Sequence, residues 1–249
     1  DGLFDRNEGG SLLTGTLGAE LGDIILEAAE ACPVEVIKFE LVGDGAAVTE
    51  VAAEAPAEIA PAAVAVVAPA AGASDELNAV FAGDRTINIL FGSQTGNAAG
   101  LAEKTAKMAG NYGLEAKVVD MDGLDPASLA SMKRVMIITS TWGEGEMPDN
   151  AESAWNAINA NGPGLGSTHF SICAIGDSSY DEFCKAGHDW NGKLAALGGK
   201  EAHPLQECDV DFDAPWQLWV NEALPLLACV DSSGTLQVEL LEEMKAYGS

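Results

Sequence analysis

Basic side chains are scarce in this sequence. Its 249 residues carry 12 Lys plus Arg against 39 Asp plus Glu, a formal net charge of −27. That surplus opposes binding to nucleic acid or insertion at an anionic membrane, because both would repel the chain. It favours a partner with a basic face and fast, salt-sensitive association with it. Long apolar runs are missing as well. None reaches the roughly 20 residues of a membrane-spanning helix, and the nearest, Ala62–Ala71, follows Pro61 and is broken by Pro69. The opening DGLFDRNEGG has neither a basic region nor an apolar core, so it is not expected to act as a signal peptide. The three His and five Cys (Cys32, Cys173, Cys184, Cys208, Cys229) do not cluster with carboxylates at metal-ligand spacing. Odd in number and far apart, the cysteines suggest free thiols and a cytoplasmic setting. The composition is silent on oligomeric state.

What is present is organised around Phe91–Gly100, FGSQTGNAAG. An apolar run, Ile87 to Leu90, precedes it, and LAEKTAKMAG follows with helical spacing. Strand, tight loop and helix in that order aim N–H groups and hydroxyls at one spot, at the positive end of a helix dipole, which suits a phosphate. The loop has no Lys and no Walker spacing, so neutral donors would hold the anion, against a nucleotide triphosphate with magnesium. A Ser/Gly/Asn turn before a helix also serves as an ordinary N-cap.

From Arg85 onward, strand and helix patterns alternate. The strands expected are Thr86–Phe91, Glu115–Asp120, Arg134–Ser140, His169–Ile175 and Glu201–Leu205. The helices expected are Asn97–Gly110, a short Pro126–Met132, Asn150–Asn159, Asp181–Leu197 and Asp213–Leu227. Apolar strands with helices between them imply an α/β fold with a parallel sheet covered on both faces, and ligands beyond the C-terminal strand ends. Two further loops fall at those ends, STWGEGEMPDN (from Ser140) and GDSSYDEFC (from Gly176). Each places one large aromatic, Trp142 or Tyr180, among small polar residues. Singly, either is ordinary rim packing; together, beside the first loop, they suggest two walls of a slot for a flat ring.

GSQTGNA, STWGEGEMPDNA and GDSSYDEFCKAG resemble the three flavin-mononucleotide loops of the flavodoxin family, above all the FMN domains of sulfite reductase flavoprotein and other diflavin reductases. The likeness covers about residues 85–228 and implies a doubly wound, five-stranded flavodoxin-like sheet with FMN as cofactor. It assigns the phosphate cradle to Ser93, Gln94, Thr95, Gly96, Asn97 and Ala98, and the stacking positions to Trp142 and Tyr180. It assigns the ring-edge contacts to Ser140, Thr141, Gly143 and to the run Ile175, Gly176, Asp177, Ser178, Ser179, through Phe183 to Cys184. Asp209 falls where relatives carry an acid near the end of the fifth strand. In such relatives the peptide after the stacking Trp, here at Gly143, can turn its carbonyl towards the half-reduced ring. Nine acids lie in or near the loops (Glu144, Glu146, Asp149, Asp177, Asp181, Glu182, Asp209, Asp211 and Asp213), with Lys185 the one nearby base. They oppose a further negative charge on the ring, by an amount on the order of the 59 mV that marks a tenfold one-electron shift. They also form a candidate docking face for basic redox proteins. Cys184 lacks a His/Asp constellation for a nucleophile and is expected to pack in the core or at the cofactor rim. His169 and His203, placed in strands, are expected to be structural.

The resulting domain reading has four parts. Residues 1–42 contain a helix, Leu17–Ala31, then Cys32-Pro33 and an alternating strand, Val34–Leu41. This piece resembles the C-terminal half of a bacterial-type ferredoxin, but one thiolate cannot hold a cluster, so an iron–sulfur centre would require upstream cysteines. Residues 43–84 form an Ala/Pro-rich linker, within which Asp75–Phe81 is expected to pack back onto the next domain. Residues 85–229 form the flavodoxin-like domain, and 230–249 a tail with a short helix. The function expected is one-electron transfer between redox partners. The alternatives are an FMN-dependent quinone or nitro reductase, or the FMN module of a larger diflavin or ferredoxin–flavodoxin reductase.

Overall fold

The computed structural model describes residues 73–248. The ferredoxin-like segment, Cys32 and most of the linker lie outside the described residues. Chain order is α1 (Asp75–Phe81), β1 (Thr86–Gly92), α2 (Asn97–Ala109), β2 (Glu115–Asp120), β3 (Arg134–Ser140), α3 (Asp149–Asn161), β4 (His169–Ile175), α4 (Lys185–Ala196), β5 (Lys200–Glu201), β6 (Gln206–Cys208), α5 (Asp213–Ala228) and α6 (Leu241–Tyr247). The strands pair in the order β2-β1-β3-β4-β5, all parallel, with β6 also pairing to β4.

Alternation along the strands decides what each face buries. Ile87 and Ile89, Met136 and Ile138, and Cys173 and Ile175 point to one side, under α2 and α5. Leu90, Val135, Ile137, Phe170 and Ile172 point to the other, under α3 and α4. Four of the five expected strands stand where the sequence pattern put them, to within a residue. The fifth, expected at Glu201–Leu205, is split. Phe170 pairs with Glu201 and Cys173 with Gln206, so five steps on one strand match three on β4. Pro204 has no N–H to give the ladder, and the chain bulges around it. His203 therefore lies in the bulge rather than in a strand, where its Nε2 meets Glu222 Oε2 at 2.9 Å. The fourth main helix starts at Lys185 rather than Asp181, because Cys184 adopts a left-handed φ of 55°.

The stretch read as linker ends in a helix that packs on the domain. Ser74 caps α1 and gives its N–H and hydroxyl to Glu243 of α6 at 2.5 and 2.8 Å. The Phe81 and Tyr247 rings meet with centroids 4.8 Å apart. His169 is structural, its Nε2 3.2 Å from Gly234 O.

Candidate functional site

β1, β3 and β4 end side by side, with Gly92 opposite Thr139 and Ser140 opposite Ile175. The three loops that leave these ends are therefore neighbours, and hydrogen bonds stitch them together. In the first loop, Gly96 N–H donates to Ser93 Oγ at 3.0 Å, closing the turn. Gly96 has a φ of 91°, a conformation open to glycine at little cost. No side chain caps the first turn of α2, and Thr95, Gly96 and Asn97 are exposed while Ala98 is buried. The Gln94 side chain is spent on the protein. Its Nε2 donates to Asp149 Oδ2 at 2.9 Å, and its Oε1 accepts from Asp149 N–H at 3.0 Å.

The second loop turns back on itself. Trp142 and Glu146 exchange backbone hydrogen bonds of 3.0 and 2.8 Å around Gly143, at φ 52°, and Gly145, at φ 106°. A Cβ on Gly143 would strike the Glu146 carboxylate, which accepts the Glu144 N–H at 2.6 Å. Thr141 ties this loop to the third, with its N–H on Ile175 O at 2.9 Å and its Oγ1 accepting Ala186 N–H at 3.1 Å.

The third loop is held from below. Asp209 accepts from Ser178 N–H at 3.1 Å, from the Ser178 hydroxyl, and from Val210 N–H at 2.8 Å. Those bonds keep its carboxyl below the usual range. Asp177 accepts from Ser179 N–H and Oγ at 2.8 and 2.5 Å. Gly176 is hemmed in; a Cβ there would lie 2.8 Å from Cys184 N and 2.9 Å from the Phe183 ring. Cys184 is fully buried, and its Sγ donates to Ala174 O at 3.3 Å.

Burial pushes the Cys184 thiol up to about 12. The unfolded chain ionises this thiol near 9, before the native state does, so the native state holds the extra proton between those values. Its contribution is complete below pH 9 and fades as pH rises towards 12. The expected result is that Cys184→Ser shows a shallower loss of urea midpoint with rising pH over that range than the parent. Equal slopes would remove this role. Cys173 lies beside it, its Sγ 3.5 Å from Cys208 Sγ, and that contact together with burial raises its pKa.

Two anchoring roles were not foreseen from the sequence, where Asp149 counted only as a loop acid and Asn150 only as the end of the second loop. Asn150 Oδ1 accepts the Ser93 N–H at 2.8 Å while its Nδ2 donates to Asp120 Oδ1 at 2.9 Å, so it fixes the first loop from α3. Asp149 does the same through Gln94. The usable signal was the Pro-Asp-Asn at the start of a helix; the partner across 57 residues had none.

Above these anchored loops stand Trp142, 49% exposed, and Tyr180, 58% exposed. Ser140 Oγ is buried at the end of β3 with no hydrogen-bond partner among the described residues. Two uncovered aromatics, an orphaned hydroxyl and an uncapped helix start fit a flat, polar-edged ring with an anionic tail.

An open parallel sheet in the order 2-1-3-4-5, with its site at the strand ends beside the β1/β3 switch, defines a doubly wound mononucleotide-binding protein. The chain belongs to the flavodoxin family, whose pattern it matches over residues 89–217. It is 40% identical over 141 residues to the sulfite reductase (NADPH) flavoprotein alpha-component of Bacillus subtilis strain 168, covering 56% of this chain and 23% of that protein. The Thiocapsa roseopersicina protein of the same name is 39% identical over 162 residues, covering 65% of this chain and 31% of that one. Among solved structures, a cysteine-to-serine mutant of flavodoxin from Pseudomonas aeruginosa superposes with a TM-score of 0.51 at 28% identity, covering 56% of this chain and 96% of that one. The chain thus spans about a quarter to a third of the length of these curated relatives. The expectation drawn from the three loops, an FMN electron-transfer domain of flavodoxin type, is met at the level of the family.

Proposed function

We propose that this domain carries single electrons on an FMN held between Trp142 and Tyr180. FMN supplies a ring able to take up and release one electron at a time; the chain's own residues bind it, orient it and set its field. Thr95, Gly96, Asn97 and Ala98 offer N–H groups and hydroxyls to the phosphate at the uncapped start of α2. Ser93 and Gln94 shape that turn through Gly96 and Asp149 rather than by reaching out themselves. The backbone of Ser140, Thr141 and Gly143, and that of Ile175 to Cys184, lines the ring edge. Phe183 wedges beneath Gly176, and Asp209 holds Ser178 in place. The pair of aromatics at the strand ends carries this reading, because each leaves about half of its surface open beside the loops.

The acids around the loops favour a redox partner with a basic face, and the rate of transfer to such a partner should fall as salt rises. A second reading places the domain as the FMN module of a larger reductase. It is favoured by relatives named for NADPH and sulfite that are several times longer than the matched region. On that reading electrons enter from an NADPH-linked module and leave to a separate reductase.

The test is a titration of apoprotein with FMN and, in parallel, riboflavin. Stoichiometric quenching of flavin and tryptophan fluorescence is expected with FMN, with weaker binding of riboflavin because the phosphate contacts are lost. Absence of FMN binding overturns the reading, and equal affinity for the two ligands removes the phosphate role of Thr95 to Ala98.

A further inference from the structure

The opposite end of the sheet carries a second concavity. The β2–β3 connection is not a full helix but two short 3-10 turns, Met121–Gly123 and Pro126–Ser131. They leave the starts of β1 and β2 uncovered on the face that α3 and α4 cover further up. A cavity of about 320 Å³ opens there, with Thr86, Asn88, Lys117 and Lys133 in its wall. It is separated from the FMN loops by four residues of β1, about 13 Å.

Asn88 is out of place in an otherwise aliphatic stretch of β1. It is only 8% exposed, yet its side chain makes no hydrogen bond to any described residue, and it lines the cavity. Its amide opens on to the cavity, where a ligand or water can meet the hydrogen bonds the protein does not supply. Lys117 is its register partner on β2, so both side chains lie on one face. On the other side Asn88 pairs with Val135, which puts Lys133, two residues earlier, on that same face. Lys133 also reaches Ser232 O. Asp84 is the one carboxylate in the wall, and it is engaged by the Thr86 N–H at 3.0 Å. The fully buried Arg134 guanidinium, 3.2 Å from Thr86 O, adds positive charge behind the wall. In a chain of net charge −27, this edge presents the Lys117 ammonium and an amide without a protein partner to one cavity, with Lys133 in the wall held to Ser232 O.

We propose that this groove is a binding site for a small oxyanion, phosphate or carboxylate, with Lys117 supplying the charge and Asn88 Nδ2 a hydrogen bond. The site is independent of FMN. Its test uses the full chain, FMN-loaded and 15N-labelled, titrated with inorganic phosphate and separately with acetate at constant ionic strength set by chloride. The Asn88 side-chain amide signals should shift saturably with at least one of the two, and which one responds names the anion class. Lys117 is exposed, so Lys117→Gln should fold normally, as its flavin spectrum will show, and bind about tenfold more weakly. Shifts that do not saturate with either anion, or that are the same in parent and Lys117→Gln, overturn the proposal.

Discussion

Trp142→Ala is expected to weaken FMN binding by roughly 30- to 900-fold while leaving the apoprotein as stable as the parent. Trp142 is half exposed, and its backbone bonds to Glu146 are kept by alanine. Deleting the indole should therefore change the unfolding free energy by no more than about 0.5 kcal/mol, as for other surface changes. The ligand loses one wall of its slot. Covering about 60–100 Å² of flat apolar surface contributes about 1.5–2.5 kcal/mol, and ring stacking adds about 0.5–1.5 kcal/mol. The sum, about 2–4 kcal/mol, gives the stated range of affinity. Trp142→Phe should recover most of it. The measurement is FMN affinity by fluorescence titration beside urea unfolding of the apoprotein. Equal affinity for parent and Trp142→Ala would mean the ring does not lie against this indole; a joint loss of affinity and stability would make Trp142 a core residue instead.

That split between site and scaffold parallels what could be read from the chain. Strands such as VMIITS and SICAIG are apolar throughout because both faces are buried, so their positions were legible from pattern alone. The loops were legible because they fall together at the strand ends and resemble three flavin loops of one family; singly, each had an ordinary reading as an N-cap or rim packing. The break in the fifth strand was less so. Pro204 signalled trouble, but only the ladder on β4 shows the two-residue bulge. Cys184 could not be foreseen at φ 55°, since its left-handed turn is imposed by Gly176 beneath it and by the packing of α4. Long-range polar links were illegible for a different reason. Asn150 to Ser93 and Asp209 to Ser178 join residues far apart in sequence, and nothing local marks an Asn or Asp as taken. The same holds for Arg85 and Arg134, which look like surface charges in the sequence and are buried in the fold.

Arg134 should be the costliest of these to remove. It opens β3 at 0% exposure, with Nε donating to Val230 O at 3.0 Å, a second guanidinium nitrogen to the same oxygen, and a third to Thr86 O at 3.2 Å. Burial lowers its pKa, while Asp84 and Asp231 act to raise it; a guanidinium in a protein keeps its charge at neutral pH. The turn from Val230 to Leu236, itself closed on Asp231, hangs from this fork. Arg134→Ala takes the guanidinium donors from Val230 O and Thr86 O and leaves a void between the sheet and that turn. Unpaired buried acceptors cost about 1–3 kcal/mol each, and the total expected is about 3–5 kcal/mol, as when a buried charged group is deleted from its partners. For a domain of this size that lowers Tm by about 10 °C. Arg134→Lys should fall between, since one ammonium cannot span both carbonyls. Lys104→Ala, which breaks an exposed pair with Asp213, should cost no more than about 1 kcal/mol. The flavin spectrum of any Arg134 variant that still folds should match the parent, because Arg134 and Ser140 lie at opposite ends of β3. Differential calorimetry of the three variants decides it. A loss under about 1 kcal/mol for Arg134→Ala would mean that water can replace the guanidinium at those carbonyls, and that this end of the sheet is wetter than its burial implies.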